Sequence, residues 1–331
     1  MEATGKVRGG PALATVLLTA LAPVSWGSTY AVTTELLPAD RPLFTAAMRA
    51  LPAGLVLLAL ARRLPAGEWW WRSAVLGALN IGAFFPLLFL AAYRLPGGLA
   101  AVVGSAGPLF VAGLGVPLLG RLPTRRTLLT GLAAALGVSL VVLRAAGALD
   151  GLGVAAAVLS TASMSTGTVL TTKWGRPPGA GPLALTAWQL VAGGLLIAPL
   201  ALLVEGAPPA LDGRALTGYA YLALANTAVA YWLWFRGIGR LGATRATFLG
   251  PLSPLTAAVI GWAVLGQGLT ALQLVGTGLA LGATVLGQRP ARTVSGPGRT
   301  GRTPSARPVG LPVTEPVGRP VVEPVTESLR R

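Results

Sequence analysis

Of 331 residues, 53% are hydrophobic and only 11% are charged, and the mean hydropathy is +0.68. Soluble domains carry about 25% charged residues, so a water-facing surface around this chain is excluded, and most of it must face lipid or itself. The formal net charge of +16 comes with no cysteine and no histidine, which excludes disulfides, thiolate chemistry and most zinc sites.

Apolar runs of bilayer-crossing length need roughly 17–25 residues. Ten are predicted, at about 13–34, 43–61, 73–92, 98–119, 127–143, 151–171, 183–203, 215–235, 243–265 and 269–287. The expected fold is an all-α polytopic membrane protein. The first run is too long for a signal-peptide core and has no small-residue cleavage site after it, so it reads as an uncleaved span. Its centre, PVSWGSTYA (23–31), is unexpectedly polar. Pro23 should loosen the helix, and Ser25, Ser28 and Thr29 can satisfy freed backbone groups or contact a solute. Trp26 and Tyr30 lie four apart, hence on one helix face, and offer flat amphipathic walls.

Arg49 lies about two turns into the second span. It can bind an anion or pair with Glu35 or Asp40 at the outer rim. Trp69, Trp70 and Trp71, beside Arg72, have the composition of an interfacial belt. Asn80 and Phe84 repeat the four-residue spacing in span three, Trp188 and Gln189 stand together in span seven, and Asn226, Tyr231, Trp232 and Trp234 cluster in span eight. Asn80, Gln189 and Asn226 can both donate and accept hydrogen bonds. Each of these groups has two readings: substrate contact, or a bond to a neighbouring helix, which is the commoner use of polar groups in membranes. Pro108 and Pro254 are hinge candidates in spans four and nine, with static kinks as the alternative. GTGLALG (276–282) lies in an apolar span with no strand before it, so a nucleotide loop is not expected. Gly278 and Gly282 have the GxxxG spacing of close helix packing, which is compatible with a homodimer.

The chain resembles itself. At an offset of 146, residues 94–124 align with 240–270, placing Arg94 on Arg240, Gly104 on Gly250, Pro108 on Pro254 and Gly115 on Gly261. At 140, residues 42–55 align with 182–195, placing Arg49 on Gln189; at 138, Ser25 falls on Ser163 and Trp26 on Met164. Two five-span units must enter the membrane from opposite sides, an inverted repeat of the kind used by secondary transporters. The expected division is a cytoplasmic N-terminus (1–12), a first repeat (13–145), a second (146–287) and a tail (288–331). Pro and Arg dominate that tail, and it buries too little apolar surface to order itself.

With both termini on one side, Lys6, Arg8, Arg62, Arg63, Arg72, Arg121, Arg125, Arg126, Lys173, Arg176, Arg236, Arg240 and Arg245 fall there, against Arg41, Arg49, Arg94, Arg144 and Arg214 on the other. Lys/Arg-rich short loops stay cytoplasmic, so both termini should be inside the cell membrane. Charge sorted in this way does not indicate nucleic acid.

WGSTY (26–30), the half-repeat and the segment 227–267 together resemble the EamA family of the drug/metabolite transporter superfamily, over nearly all of 13–287. Arg49, Tyr231 with its following aromatic and basic residues, and the proline of span nine share that likeness. The resemblance implies ten helices in two EamA repeats and export or exchange of small metabolites, often amino acids. One departure stands out: LGR (119–121) and LGQ (265–267) replace the family's Leu-Gly-Glu.

The expected function is therefore secondary transport of a small metabolite, an amino acid or related polar or aromatic solute, by alternating access, with no cofactor. No Asp, Glu or His lies deep in a span, so a facilitator or exchanger is expected over a proton-coupled carrier. The alternatives are a membrane scaffold acting through the basic tail, or an intramembrane enzyme. The latter lacks a visible nucleophile–base pair.

Overall fold

The computed structural model describes residues 10–38, 41–94, 103–142, 150–265 and 270–288. The tail beyond 288, Asp40 and the LGQ segment from 266 fall outside them. Helix accounts for nearly all of the described residues, and none of them forms a strand. The elements, in order, are α1 (Gly10–Gly27), α2 (Thr29–Leu36), α3 (Pro42–Ala61), α4 (Trp69–Gly77), the π-helix π1 (Ala78–Ala83), α5 (Phe84–Arg94), α6 (Gly107–Leu119), α7 (Arg125–Val142), α8 (Gly151–Trp174), α9 (Pro182–Glu205), α10 (Gly213–Ala223), π2 (Leu224–Val229), α11 (Ala230–Leu241), α12 (Ala243–Thr247), α13 (Leu252–Leu265) and α14 (Ala271–Gln288).

Six described helical runs are long and apolar enough to cross a membrane: Pro42–Ala61, Trp69–Ala91, Gly151–Trp174, Pro182–Glu205, Ala243–Val264 and Ala271–Gln288. Gly107–Leu119 is apolar but shorter. The first predicted span is divided at Ser28, and the eighth carries Tyr219, Tyr221, Asn226 and Thr227 among its apolar residues. Large apolar side chains point outward: Leu60, Leu129, Leu203 and Val264 are each more than half exposed. Such a surface is intolerable in water and suits lipid. The interior is built instead from small residues such as Ala46, Ala50, Ala53 and Ala187, because in lipid close helix approach, not apolarity, drives association.

The packing follows the sequence similarity. Antiparallel α3 and α9 make the most extensive interhelical contact among the described residues. A Cβ added at Gly54 would lie 2.7 Å from the Val191 nitrogen, and one at Gly194 would lie 2.9 Å from the Leu51 Cα. Positions 51 and 54 fall on 191 and 194 at the offset of 140, so each helix offers its glycine to the other's matching residue. The Glu205 carboxylate, at the end of α9, accepts from the backbone N–H groups of Leu43 (2.6 Å) and Phe44 (2.9 Å). It thereby caps the positive N-terminus of α3.

α7 packs along α14 in the same manner: a Cβ at Gly137 would meet the Ala280 nitrogen at 2.6 Å, and one at Gly276 the Gly137 carbonyl oxygen at 2.6 Å. Sequence reasoning singled out Gly278 and Gly282 for packing, within the chain or between subunits. Within the chain both face open space, and the close contact with α7 belongs to Gly276 and Ala280.

Helix α1 runs through Pro23 to Gly27, and the turn comes at Ser28. One other expectation differs from the structure. Of the three tryptophans, Trp70 and Trp71 are exposed, but Trp69 is buried beside Trp188, their rings 6.3 Å apart. Arg72 lies over the rings of Trp69, Trp71 and Trp174.

At the start of α8, Asp150 accepts from the Gly153 backbone N–H (2.9 Å) and from Arg94 Nη1 (3.1 Å). The Gly153 bond above all, opposed in part by burial and helped by Arg94, holds its carboxyl below the usual carboxylate range.

Candidate functional site

A cavity of about 500 Å³ opens among α1–α3, α5, α8, α11 and the α12–α13 turn. That is within the roughly 300–1,000 Å³ usual for small-molecule sites. Trp26, Phe84, Phe85, Phe89, Tyr231 and Trp234 supply its aromatic wall, while Thr29, Thr33, Ser160, Thr161, Ser165 and Thr168 line it with hydroxyls. Among the described residues Arg49 is the one cation on its wall, and no carboxylate lines it.

Local sequence explains why these side chains converge. π1 and π2 interrupt their long helices at ALNIGA and LANTAV. A π-turn widens the helix and loosens its backbone pairing, leaving carbonyls for side chains to claim. Trp26 Nε1 donates to the Asn226 carbonyl (3.0 Å), and Ser163 donates to the Leu79 carbonyl (2.8 Å). At the α1–α2 break, the Ser25 carbonyl accepts from Ser28 Oγ (2.8 Å) and Asn226 Nδ2 (2.7 Å).

Asn226 is thus a hub. Its Oδ1 accepts from Arg49 Nη2 (2.7 Å) and from Thr29 Oγ1 (3.2 Å), while Arg49 Nε donates to Thr227 Oγ1 (3.1 Å). The guanidinium carbon stands 4.7 Å from the centre of the Phe85 ring. Arg49 is only 4% exposed and makes no ion pair among the described residues. The rim pairing with Glu35 is absent, for Glu35 is exposed and its carbonyl accepts from Arg214. Trp26 packs against Tyr231 at 4.9 Å and Trp234 at 5.3 Å, and Tyr231 stands 6.2 Å from Phe85.

Of the residues predicted from sequence, Trp26, Arg49, Phe84, Tyr231 and Pro254 line the cavity, with Asn226 directly behind Trp26 and Arg49. The others lie elsewhere. Asn80 Nδ2 donates to Gln189 Oε1 (2.8 Å), both fully buried and away from the cavity wall. Trp188 Nε1 donates to the Arg63 carbonyl (2.7 Å) at the end of α3. Ser28 shares a hydrogen bond with the Tyr221 hydroxyl (2.8 Å). The Tyr30 side chain lies outside the described residues. Pro108 stands in the first turn of α6, and Pro254 in that of α13. A proline there removes no helical hydrogen bond, so both mark where a helix starts after a turn.

Sequence reasoning missed the hydroxyl face of α8 and the role of Phe85. Their signal was present: 160, 161, 164, 165 and 168 recur at helical spacing on one face. It also missed that Asn80 and Asn226 fall on one another at the offset of 146, each in its π-helix.

The model of the EamA-like transporter family matches this chain twice, over residues 13–143 and 151–287. The chain belongs to the EamA-like transporter family. Protein PecM of Dickeya dadantii is 45% identical over 81% of this chain and 90% of its own length. The WAT1-related protein At3g02690, chloroplastic, of Arabidopsis thaliana is 30% identical over 79% of this chain and 66% of its own. The uncharacterized inner membrane transporter YedA of Escherichia coli K12 is 27% identical over 80% and 87%. A crystal structure with a TM-score of 0.69 and 17% identity covers 83% of this chain and 97% of that one, a likeness of fold alone. As an EamA-like protein of the drug/metabolite transporter superfamily, the chain is a multi-pass membrane transporter of small molecules.

Proposed function

We propose that this transporter carries a small aromatic or polar metabolite across the cell membrane by alternating access between two inverted five-helix halves (13–145 and 146–287), with ten spans and both termini cytoplasmic. The observation that carries this reading is the cavity wall itself, to which both halves contribute and which the Arg49–Asn226 hydrogen bond ties together. Two further facts support it. Gly54 and Gly194 fit reciprocally against 191 and 51, as a two-fold relation between the halves requires. The Asn80–Gln189 bond is matched by the Arg49–Asn226 bond, whose partners occupy equivalent positions in the sequence repeat.

Among the described residues no carboxylate lies on the cavity wall, so none of them offers a proton a binding group there. The solute gradient is then the driving force, and for a metabolite made inside the cell it points outward. Counterflow in proteoliposomes tests the reading: labelled solute should accumulate against unlabelled solute with no response to an imposed pH gradient. Strong stimulation by that gradient sinks the gradient-driven version. The natural absence of cysteine allows a topology test with Arg94→Cys and Arg240→Cys. An impermeant thiol reagent should reach them from opposite faces; labelling from one face contradicts the inverted halves.

A further inference from the structure

The cavity also carries information about the charge of its occupant, an inference that rests on the transport reading of the same site. Arg49 is a buried cation whose hydrogen bonds go to a neutral amide and a neutral hydroxyl. Its Nη1 has no hydrogen-bond partner among the described residues. The ion pairs found among those residues are Arg72–Glu68 and Arg94–Asp150, and none of the four lines the cavity. The phenol of Tyr231 is neutral at neutral pH. A desolvated charge with no counter-charge is costly, and the cost falls when an anion arrives.

The uncharged polar atoms agree. Trp234 Nε1, Thr33 Oγ1 and Thr168 Oγ1 belong to cavity-lining residues, are buried, and have no hydrogen-bond partner among the described residues. The indole can only donate, and the hydroxyls can donate. The residues of the wall therefore carry unpaired donors and a positive charge, with aromatic faces on several sides. An ammonium group entering it would meet Arg49 and, among the described residues, no carboxylate.

We infer that the cavity selects a planar aromatic or conjugated organic monoanion, its acid group on Arg49 and its ring against the wall of Trp26, Tyr231, Trp234 and Phe85. A free amino acid, whose ammonium has no partner there, is a poor occupant. Arg49 serving only as a brace between α3 and π2 would give no dependence on ligand charge.

The test is binding to the purified full-length protein in nanodiscs, followed by tryptophan fluorescence or calorimetry. The probes share one ring system and differ in charge: 2-naphthoate, 2-naphthamide and 2-naphthylmethylammonium. Naphthoate should bind at least about tenfold more tightly than the amide, with the ammonium weakest, and Arg49→Gln should abolish the preference. Should Arg49→Gln fail to fold, the charge series on the native protein decides alone. Amide or ammonium binding as tight as that of the acid, or no binding of naphthoate, overturns the inference. Counterflow of a cationic solute through this cavity would overturn it too and leave the transport reading intact. Naphthoate binding in a protein that moves no solute would do the reverse.

Discussion

Arg49 Nη2 donates to Asn226 Oδ1 at 2.7 Å, joining α3 of the first half to π2 of the second with no carboxylate at either end. A brace between two neutral-lined helices could have been built from an amide pair, as Gln189 and Asn80 do at the matching positions. On the proposed reading, placing a cation there instead makes this side of the cavity the one that handles charge.

Asn226→Ala removes an acceptor shared by Arg49 and Thr29 and a donor to Ser25. Leaving such groups unpaired costs about 1–3 kcal/mol, and thermal unfolding of the purified protein should fall accordingly. Asn226→Asp keeps the acceptor and adds a negative charge beside Arg49, but loses the Nδ2 donor to the Ser25 carbonyl. The new ion pair offsets part of that loss, so this variant should melt above Asn226→Ala yet lose most anion binding, which separates the structural role of the bond from the electrostatic one.

Trp26 and Trp234 line the same cavity, but among the described residues only Trp26 Nε1 has a partner. Trp26→Phe gives up a hydrogen bond worth about 1 kcal/mol, and unfolding should register it. Trp234→Phe loses the same ring volume but only an unpaired N–H, so it should be less destabilising than Trp26→Phe by about 1 kcal/mol, while affinity for the solute drops several-fold. Equal stability losses in the two variants would contradict the assignment of Trp234 Nε1 to the solute.

Gly54→Ala and Gly194→Ala push a methyl into opposing backbone and should each cost about 1–3 kcal/mol. Gly278→Ala and Gly282→Ala meet open space and should change stability by about 0.5 kcal/mol at most. Comparative melting of the four variants checks the placement of the helix contacts.

Much of this was readable in advance, and the misses have physical causes. Composition and apolar run length indicated a helical membrane protein, and WGSTY with the internal similarity indicated the family. The similarity also marks Arg49 and Gln189 alike, yet only Arg49 lines the cavity. Which of two matched positions opens depends on how the whole bundle is arranged, not on residue type. Asn80 and Asn226 went unpaired because the alignment slips from 138 to 146 along the chain, and π-turns have no compositional signature. Trp188 was misplaced because an indole N–H satisfied by a distant carbonyl, here that of Arg63, looks in sequence like one reserved for a ligand.

Asp150 provides a control for pH. Its carboxyl titrates below the usual carboxylate range, first through the Gly153 backbone bond and then through Arg94. A depressed folded-state pKa contributes stability that is fully present above the unfolded value, about 3.9, and is lost as pH falls through the folded value. Unfolding midpoints of the native protein and Asp150→Ala should therefore differ by a constant amount between about pH 5 and 8 and converge only in stronger acid. A difference that changes near neutrality would contradict this.

The most direct measurement of the central claim uses one new cysteine in an otherwise cysteine-free chain. Ser165 lines the cavity from α8 and is 4% exposed, and Ser165→Cys alters little volume. In proteoliposomes, a small thiol reagent should abolish solute counterflow by this variant while sparing the native protein, and saturating solute should slow the modification. Complete modification at this position with undiminished transport would mean that the solute travels by another route.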